Sequence, residues 1–212
     1  MAVLDLQEQE QVDEFKAWWS DNGKWLLITV TLVIVGFATM QGWEFYKEKK
    51  MTEASILYGE LEKQLTSNDP KRINDAATAV LDNYGSTVYA PRAALLAAQV
   101  NIESNDVPRA KSQLEWVIKH AEETGLQSVA RLKLASVLLD EKKYADVLKL
   151  LDEKHPESFE GLYADLRGDV LNAQGKVDEA RSAYQLALNK IDAQSRYRNL
   201  IQVKLDALGG AK

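Results

Sequence analysis

The sequence predicts an all-α protein: a single transmembrane helix followed by an array of αα-hairpins. Three observations carry this reading. One uninterrupted apolar stretch runs from Trp25 to Trp43. After it, periodic runs of Ala, Leu, Glu, Lys and Gln are punctuated by single Pro and Gly residues, and alternating strand-type runs are absent. Small and bulky residues then recur at the spacing of paired helices.

The head, residues 1–24, is acidic, with Asp5, Glu8, Glu10, Asp13, Glu14 and Asp21 against Lys16 and Lys24. Val12, Phe15, Trp18 and Trp19 share one helix face. Residues 9–20 are therefore either an interfacial helix with its aromatic side among lipid headgroups, or a cytosolic continuation of the membrane helix.

The span is placed at 25–46. From Trp25 to Trp43 a helix rising about 1.5 Å per residue covers roughly 28 Å, close to the ~30 Å hydrocarbon core of a bilayer. Trp25 at one end, and Trp43, Phe45 and Tyr46 at the other, suit the two interfacial belts, and no charge lies between Lys24 and Glu44. A core helix of a soluble protein would need burial on every face. A cleaved signal peptide would need a positive n-region and a small-x-small site, whereas the flank is acidic and Ala38-Thr39-Met40 ends on a bulky residue. The segment is expected to remain as an anchor. Gly36 and Gly42 lack the four-residue spacing of a dimerisation face.

Residues 1–46 hold seven acidic residues against two lysines, most of the chain's net charge of -6. The body, 47–212, is nearly neutral, so no nucleic-acid footprint is expected. Without cysteine there is no disulfide or thiolate chemistry, and the redox compartment stays open.

Helices are expected at 51–66, 70–83, 87–104, 107–122, 126–140, 143–153, 158–174, 177–190 and 194–208. The four prolines mark starts or turns, at Asn68-Asp69-Pro70, Ala90-Pro91, Val107-Pro108 and His155-Pro156. In the last pair, Gly168, Gly175, Val177, Ala180, Tyr184, Ala187 and Leu188 have the offsets of a tetratricopeptide repeat. Taking Ala180 as anchor, the equivalents are Val147, Ala110 and Ala76, spaced 33, 37 and 34, each followed four residues on by an apolar residue: Tyr184, Leu151, Leu114 and Val80. Arg167, Gln64 and Asn101 depart from the pattern, and the proline after the second helix is missing. The body is read as a tetratricopeptide-like solenoid, with an unrelated helical bundle as the alternative.

The head motif Val12-Asp-Glu-Phe-Lys16-x-Trp18-Trp19-x-x-Asn22-Gly23-Lys24, the single span, Tyr163-Ala-Asp165-Leu-Arg167-Gly168-Asp169 and Gly175-Lys-Val-Asp-Glu-Ala180-Arg181-Ser-Ala-Tyr184 follow in this order. The chain thereby resembles the YfgM family, the ancillary subunits of the bacterial SecYEG translocon. The resemblance implies an inner-membrane protein with a cytoplasmic amino terminus and a periplasmic repeat domain. It also implies links to the periplasmic chaperone PpiD, to delivery of unfolded or newly translocated proteins, and to envelope stress signalling. The charge pattern pulls the other way, since Lys47, Lys49 and Lys50 follow the span while Lys16 and Lys24 precede it. The expected orientation follows the resemblance.

No cofactor, metal or catalytic site is expected. His120, near a helix end, and His155, before Pro156, suit capping or surface roles and lack metal spacing. Asp165 and Asp169 share a helix face, as acid-base carboxylates can, but a helix beginning with acids also gains from its dipole. Trp116, Tyr144, Tyr163 and Tyr184 are read as packing residues. What remains is a surface. The first helix of each pair lines the inner face of such a solenoid, which nominates Arg92, Leu95, Gln99 and Ile102; Val129, Leu132, Ser136 and Leu139; and Leu162, Asp165, Asp169 and Asn172. This groove would be apolar in the middle and polar at its ends, suited to a helix or an unfolded segment. Alternatively these residues pack against neighbouring repeats or a terminal capping helix. The expected function is a non-enzymatic, membrane-anchored protein-binding module; the alternative is a bitopic regulator or assembly scaffold with a cytoplasmic partner.

Overall fold

Ile73, Ala110, Val147 and Ala180 each lie one turn inside a helix, and all four are buried. They set the register of four hairpins. The computed structural model describes residues 2–67 and 69–209, with side chains from Glu8 onward. The Asp5 side chain, Asn68 and Gly210 lie outside the described residues. The helices are α1 Ala2–Leu65, α2 Pro70–Tyr84, α3 Tyr89–Glu103, α4 Val107–His120, α5 Thr124–Asp140, α6 Tyr144–Leu151, α7 Glu160–Ala173, α8 Val177–Lys190 and α9 Tyr197–Ala207. A 3-10 turn, Glu157–Phe159, precedes α7. No strand occurs among the described residues. The chain divides into two compact units, Met1–Lys50 and Met51–Lys212.

In the first unit, residues 2–50 are helical without a break, so the head takes the continuous of its two expected forms. The most apolar window of α1 has a mean hydropathy of 1.8 and none of it is buried, which the core-helix alternative would have required. The helix is long and apolar enough to cross a membrane. Its threonines fit that solvent: the hydroxyls of Thr29, Thr31 and Thr39 donate to the carbonyls of Trp25, Leu27 and Val35 at 2.7–2.9 Å, so these hydroxyls are satisfied within the helix. At the far end Lys47 Nζ lies 5.7 Å from the Trp43 ring and Lys50 Nζ 5.2 Å from that of Tyr46, the cationic and aromatic pairing of an interfacial belt.

In the second unit the hairpins are residues 51–65 of α1 with α2, which share the core cluster of Leu61, Ile73, Ala77 and Val80, then α3 with α4, α5 with α6, and α7 with α8; α9 packs on α8. Second helices begin at Pro70, Val107, Tyr144 and Val177, spaced 37, 37 and 33. Asp69 and Asp106 cap α2 and α4 by accepting from Lys71 N at 3.0 Å and Arg109 N at 3.3 Å. Each described hairpin turn contains one left-handed residue: Asn105 at φ 64°, Lys142 at φ 59° and Gly175 at φ 76°. Every one makes the same pair of bonds. In α7, for example, Gly175 N donates to Asn172 O and Lys176 N to Leu171 O, both at 2.9 Å, which satisfies the last carbonyls of the helix.

The first hairpin corrects the sequence reading by three residues. Its buried anchor is Ile73, with Ala77 four residues on and Val80 after it, whereas Ala76 is only half-buried. The cause is an exchange of volume between the two helices. Opposite the +4 residue, first helices place a residue in the same register: Gly168 with Tyr184, Ala135 with Leu151, Ala98 with Leu114, and Leu61 with Ala77. All eight are buried. The last three pairs each share one core cluster, and Tyr184 crowds Gly168 directly. In three hairpins the small residue is on the first helix; in the first hairpin it is on the second, which conserves the packed volume and hides the repeat from a search for Ala before a bulky residue.

Asn101, a departure from the repeat pattern, is 1% exposed. It exchanges amide hydrogen bonds with Asn74 at 2.8 and 2.9 Å and donates to Gln113 Oε1 at 2.7 Å, while Gln113 Nε2 donates to Asn74 Oδ1 at 3.0 Å. Three helices, α2, α3 and α4, are thereby tied by a polar cluster whose members supply each other's partners.

Candidate partner-binding surfaces

The nominated inner-face residues lie on α3, α5 and α7. Leu95 and Ile102 are half-buried against the cluster of Ala94, Ala98, Leu114 and Leu134. Leu132 and Leu139 are half-buried against the cluster of Ala135, Val147, Leu151 and Tyr163. None of these four leucine and isoleucine side chains is fully covered, and Val129 and Leu162 are likewise intermediate. Gln99 joins two of the helices: it accepts from Lys133 Nζ of α5 and donates to Glu103 at 2.6 Å. Arg92 donates to Val88 O at 2.6 Å and pairs with Glu123 at 2.8 Å. Ser136 and Asn172 are exposed, and Ser136 donates to its own helix at Leu132 O.

Asp165 and Asp169 are brought together by α9. Lys204 Nζ donates to both Asp165 oxygens at 2.9 Å and to Asp169 Oδ2 at 2.8 Å, and Tyr184 Oη donates to Asp169 Oδ1 at 2.8 Å. Burial pushes the Asp165 carboxyl above its ordinary value, with the Lys204 hydrogen bond and charge opposing it. Burial also acts to lower Lys204, but the hydrogen bonds it donates to Asp169 and Asp165 outweigh it and the net direction is up. Burial, then the Asp169 bond, raise Tyr184 far beyond the ordinary phenol range. These are the properties of an ion-paired cap: an ammonium held by two carboxylates, with the phenol kept as a donor. This end of the inner face is covered by the chain's own last helix.

His120 Nδ1 donates to Trp116 O at 2.8 Å, closing the end of α4. His155 bonds Glu153 O at 2.9 Å and Glu160 at 3.1 Å and stacks on Tyr163. Tyr163 and Tyr184 are core residues and Tyr144 is half-buried, but Trp116 also lines a cleft. The sequence reading missed this cleft of about 480 Å³ between the loops that join successive hairpins. Its walls include Val88, Pro91, Trp116, His120, Glu122 and Glu123. The available signal was Val88, an apolar residue at the N-cap of α3 where Ser, Thr, Asp or Asn is usual.

The chain is similar to known proteins over nearly its whole length. A family model described as a tetratricopeptide repeat-like domain matches residues 16–210. The ancillary SecYEG translocon subunit of Neisseria gonorrhoeae is 31% identical over 207 residues, covering 96% of this chain and 98% of that protein. The protein of the same name from Escherichia coli is 28% identical over 204 residues, covering 95% and 96%. Among solved structures, MamA from Desulfovibrio magneticus RS-1 matches with a TM-score of 0.52 at 15% identity, over 74% of this chain and 89% of that one, a likeness of fold alone. With four registered hairpins, a profile match across both units and a relative above 30% identity end to end, the chain belongs to the tetratricopeptide repeat-like family of which those ancillary translocon subunits, the YfgM family, are members.

Proposed function

We propose that this chain is a non-catalytic ancillary subunit of the Sec translocon, anchored in the bacterial inner membrane. Residues 1–24 form the cytoplasmic head, 25–46 cross the bilayer, and 47–212 form a periplasmic repeat domain. The repeat domain binds unfolded or newly translocated proteins on its inner face and hands them to periplasmic chaperones, PpiD among them, with a further influence on envelope stress signalling. The observation that supports this best is end-to-end similarity to proteins named ancillary SecYEG translocon subunits, with the apolar helix in the place an anchor requires. Anchoring raises the local concentration of the repeats near the translocon, so weak contacts suffice for capture. The half-buried Leu95, Ile102, Leu132 and Leu139 supply an apolar middle for such contacts.

Crosslinking in intact cells followed by purification in mild detergent tests the assignment. Recovery of SecYEG with this chain supports it; recovery of neither translocon nor chaperone overturns it. A second reading, a bitopic regulator with a cytoplasmic body, is favoured by Lys47, Lys49 and Lys50 after the span. Protease added to spheroplasts distinguishes the two, because only a periplasmic body is digested.

A further inference from the structure

The cleft at the hairpin junctions has a composition that the packing of the solenoid does not require. Val88 stands exposed at the start of α3 and makes no side-chain cap. Glu123 stands at the start of α5 and does not cap it either; its carboxylate reaches Arg92 instead. Between them the Trp116 ring is stacked on His120, with centroids 4.6 Å apart and planes at 25°. The imidazole is fixed there by the Nδ1 donation to the Trp116 carbonyl. Gly85 leaves room beside Trp116 Cζ2, 3.7 Å from where a Cβ would stand, and a Cβ there would collide with the Leu81 carbonyl at 2.8 Å.

We infer that this cleft receives a Lys or Arg side chain from an extended polypeptide. The inference rests on the reading of the body as a polypeptide-binding module and names a second contact site for it, beside Arg92 at one end of the nominated inner face. Val88 and the indole offer apolar surface to the aliphatic stem. The rim carboxylates offer an attraction to the cationic head. The Glu122 carboxylate has no ion pair or hydrogen bond among the described residues, and the Glu123 carboxylate has only Arg92. An acidic side chain would meet both carboxylates, and a neutral apolar one would desolvate them without return. The volume, about 480 Å³, admits a long side chain together with its flanking backbone.

Trp116 reports on its own cleft once Trp18, Trp19, Trp25 and Trp43 are replaced by Phe, since the chain has five tryptophans. The full-length protein in detergent is titrated with a short flexible peptide, dye-labelled, carrying Leu-Arg-Leu, and with versions having Lys, norleucine or Glu for Arg. Saturable change in Trp116 emission with the Arg and Lys peptides is expected, weaker by roughly ten-fold for norleucine and absent for Glu. Glu122→Lys, at an exposed position, should leave the melt unchanged, weaken the Arg peptide by roughly ten-fold and strengthen the Glu peptide. Equal binding of norleucine and Arg peptides, or an Arg affinity unmoved by Glu122→Lys, overturns the inference. If dye anisotropy shows capture while Trp116 stays silent, the cleft inference fails and polypeptide binding stands; if neither signal moves, both fall.

Discussion

The Tyr184 ring is seated over the bare Cα of Gly168: a Cβ added there would come within 2.5 Å of Tyr184 Cδ1. Both residues belong to the last hairpin, and the same register holds Ala135 with Leu151 and Ala98 with Leu114 in the two before it. A tyrosine is accommodated only where the first helix has no side chain at all. Gly168→Ala should therefore overpack the hairpin and lower stability by about 1–3 kcal/mol. Adding Tyr184→Leu recreates the Ala and Leu combination of the neighbouring hairpins and should recover part of the loss. Thermal melts of the single and double variants check this, and a double variant less stable than the sum of the singles would disprove the volume exchange.

Asn101 is the polar centre of the second hairpin, and its amide serves both Asn74 and Gln113. Replacement by Leu, the residue at the equivalent positions of the next two hairpins, Leu138 and Leu171, leaves the Asn74 and Gln113 amides short of partners in a buried site. A loss of about 1–3 kcal/mol is expected, despite the gain in hydrophobicity. Asn74→Leu in the same chain should not add its full cost, because the two changes remove one shared network. Denaturant unfolding of the four members of this cycle measures the coupling.

Lys142 holds a left-handed backbone that a side chain with a Cβ resists, in the place where the next hairpin has Gly175. Lys142→Gly removes that strain but adds freedom to the unfolded chain, and the balance should be a gain of about 0.5–1 kcal/mol. Gly175→Ala should cost a similar amount. Opposite signs from the two substitutions in paired melts are the expected outcome.

The Lys204 cap carries a pH dependence whose sign follows from the directions of shift. Asp165 has a folded value raised by burial, so its contribution to stability is complete below its unfolded value and is lost as pH rises through the folded one. Lys204, also raised, keeps its contribution at neutral pH and loses it only in strongly alkaline solution. Lys204→Met removes the hydrogen bond and charge that hold Asp165 down and leaves it facing Asp169, so the Asp165 value climbs further. The variant should be about 2 kcal/mol less stable at neutral pH and should regain more stability on acidification than the wild type does. A variant whose melting temperature falls on acidification in step with the wild type would refute this account of the cap.

Much of this architecture was legible in the chain. The apolar span, the proline-marked helix starts and the last hairpin followed from periodicity, because those signals are local. The first hairpin was misregistered by three residues, since Leu61 and Ala77 had exchanged sizes across two helices and no local pattern records an exchange at a distance. Asn101 looked like decay of the repeat for the same reason, its partners Asn74 and Gln113 lying in other helices. A terminal capping helix over part of the nominated groove was among the alternatives, but no local pattern marked Lys204, 35 residues from Asp169, as its contact.

The inner face itself is tested by its two half-buried leucines on α5. If Leu132 and Leu139 present their uncovered surface to a bound polypeptide, replacing both by Ser should weaken crosslinking to partners more than it weakens the fold. Their half-burial against the Ala135 and Tyr163 cluster also predicts a stability cost, about 1 kcal/mol each rather than the 2 kcal/mol or more of a fully buried leucine. The two effects separate when circular dichroism melts and partner crosslinking are read on the same protein. Helicity kept, with a modestly lower melt and lost partners, supports the groove. A melt lowered by the full core penalty with partners retained shows that these leucines belong to the core, and directs the search to the Trp116 cleft and to the exposed Phe15, Trp18 and Trp19 face of α1.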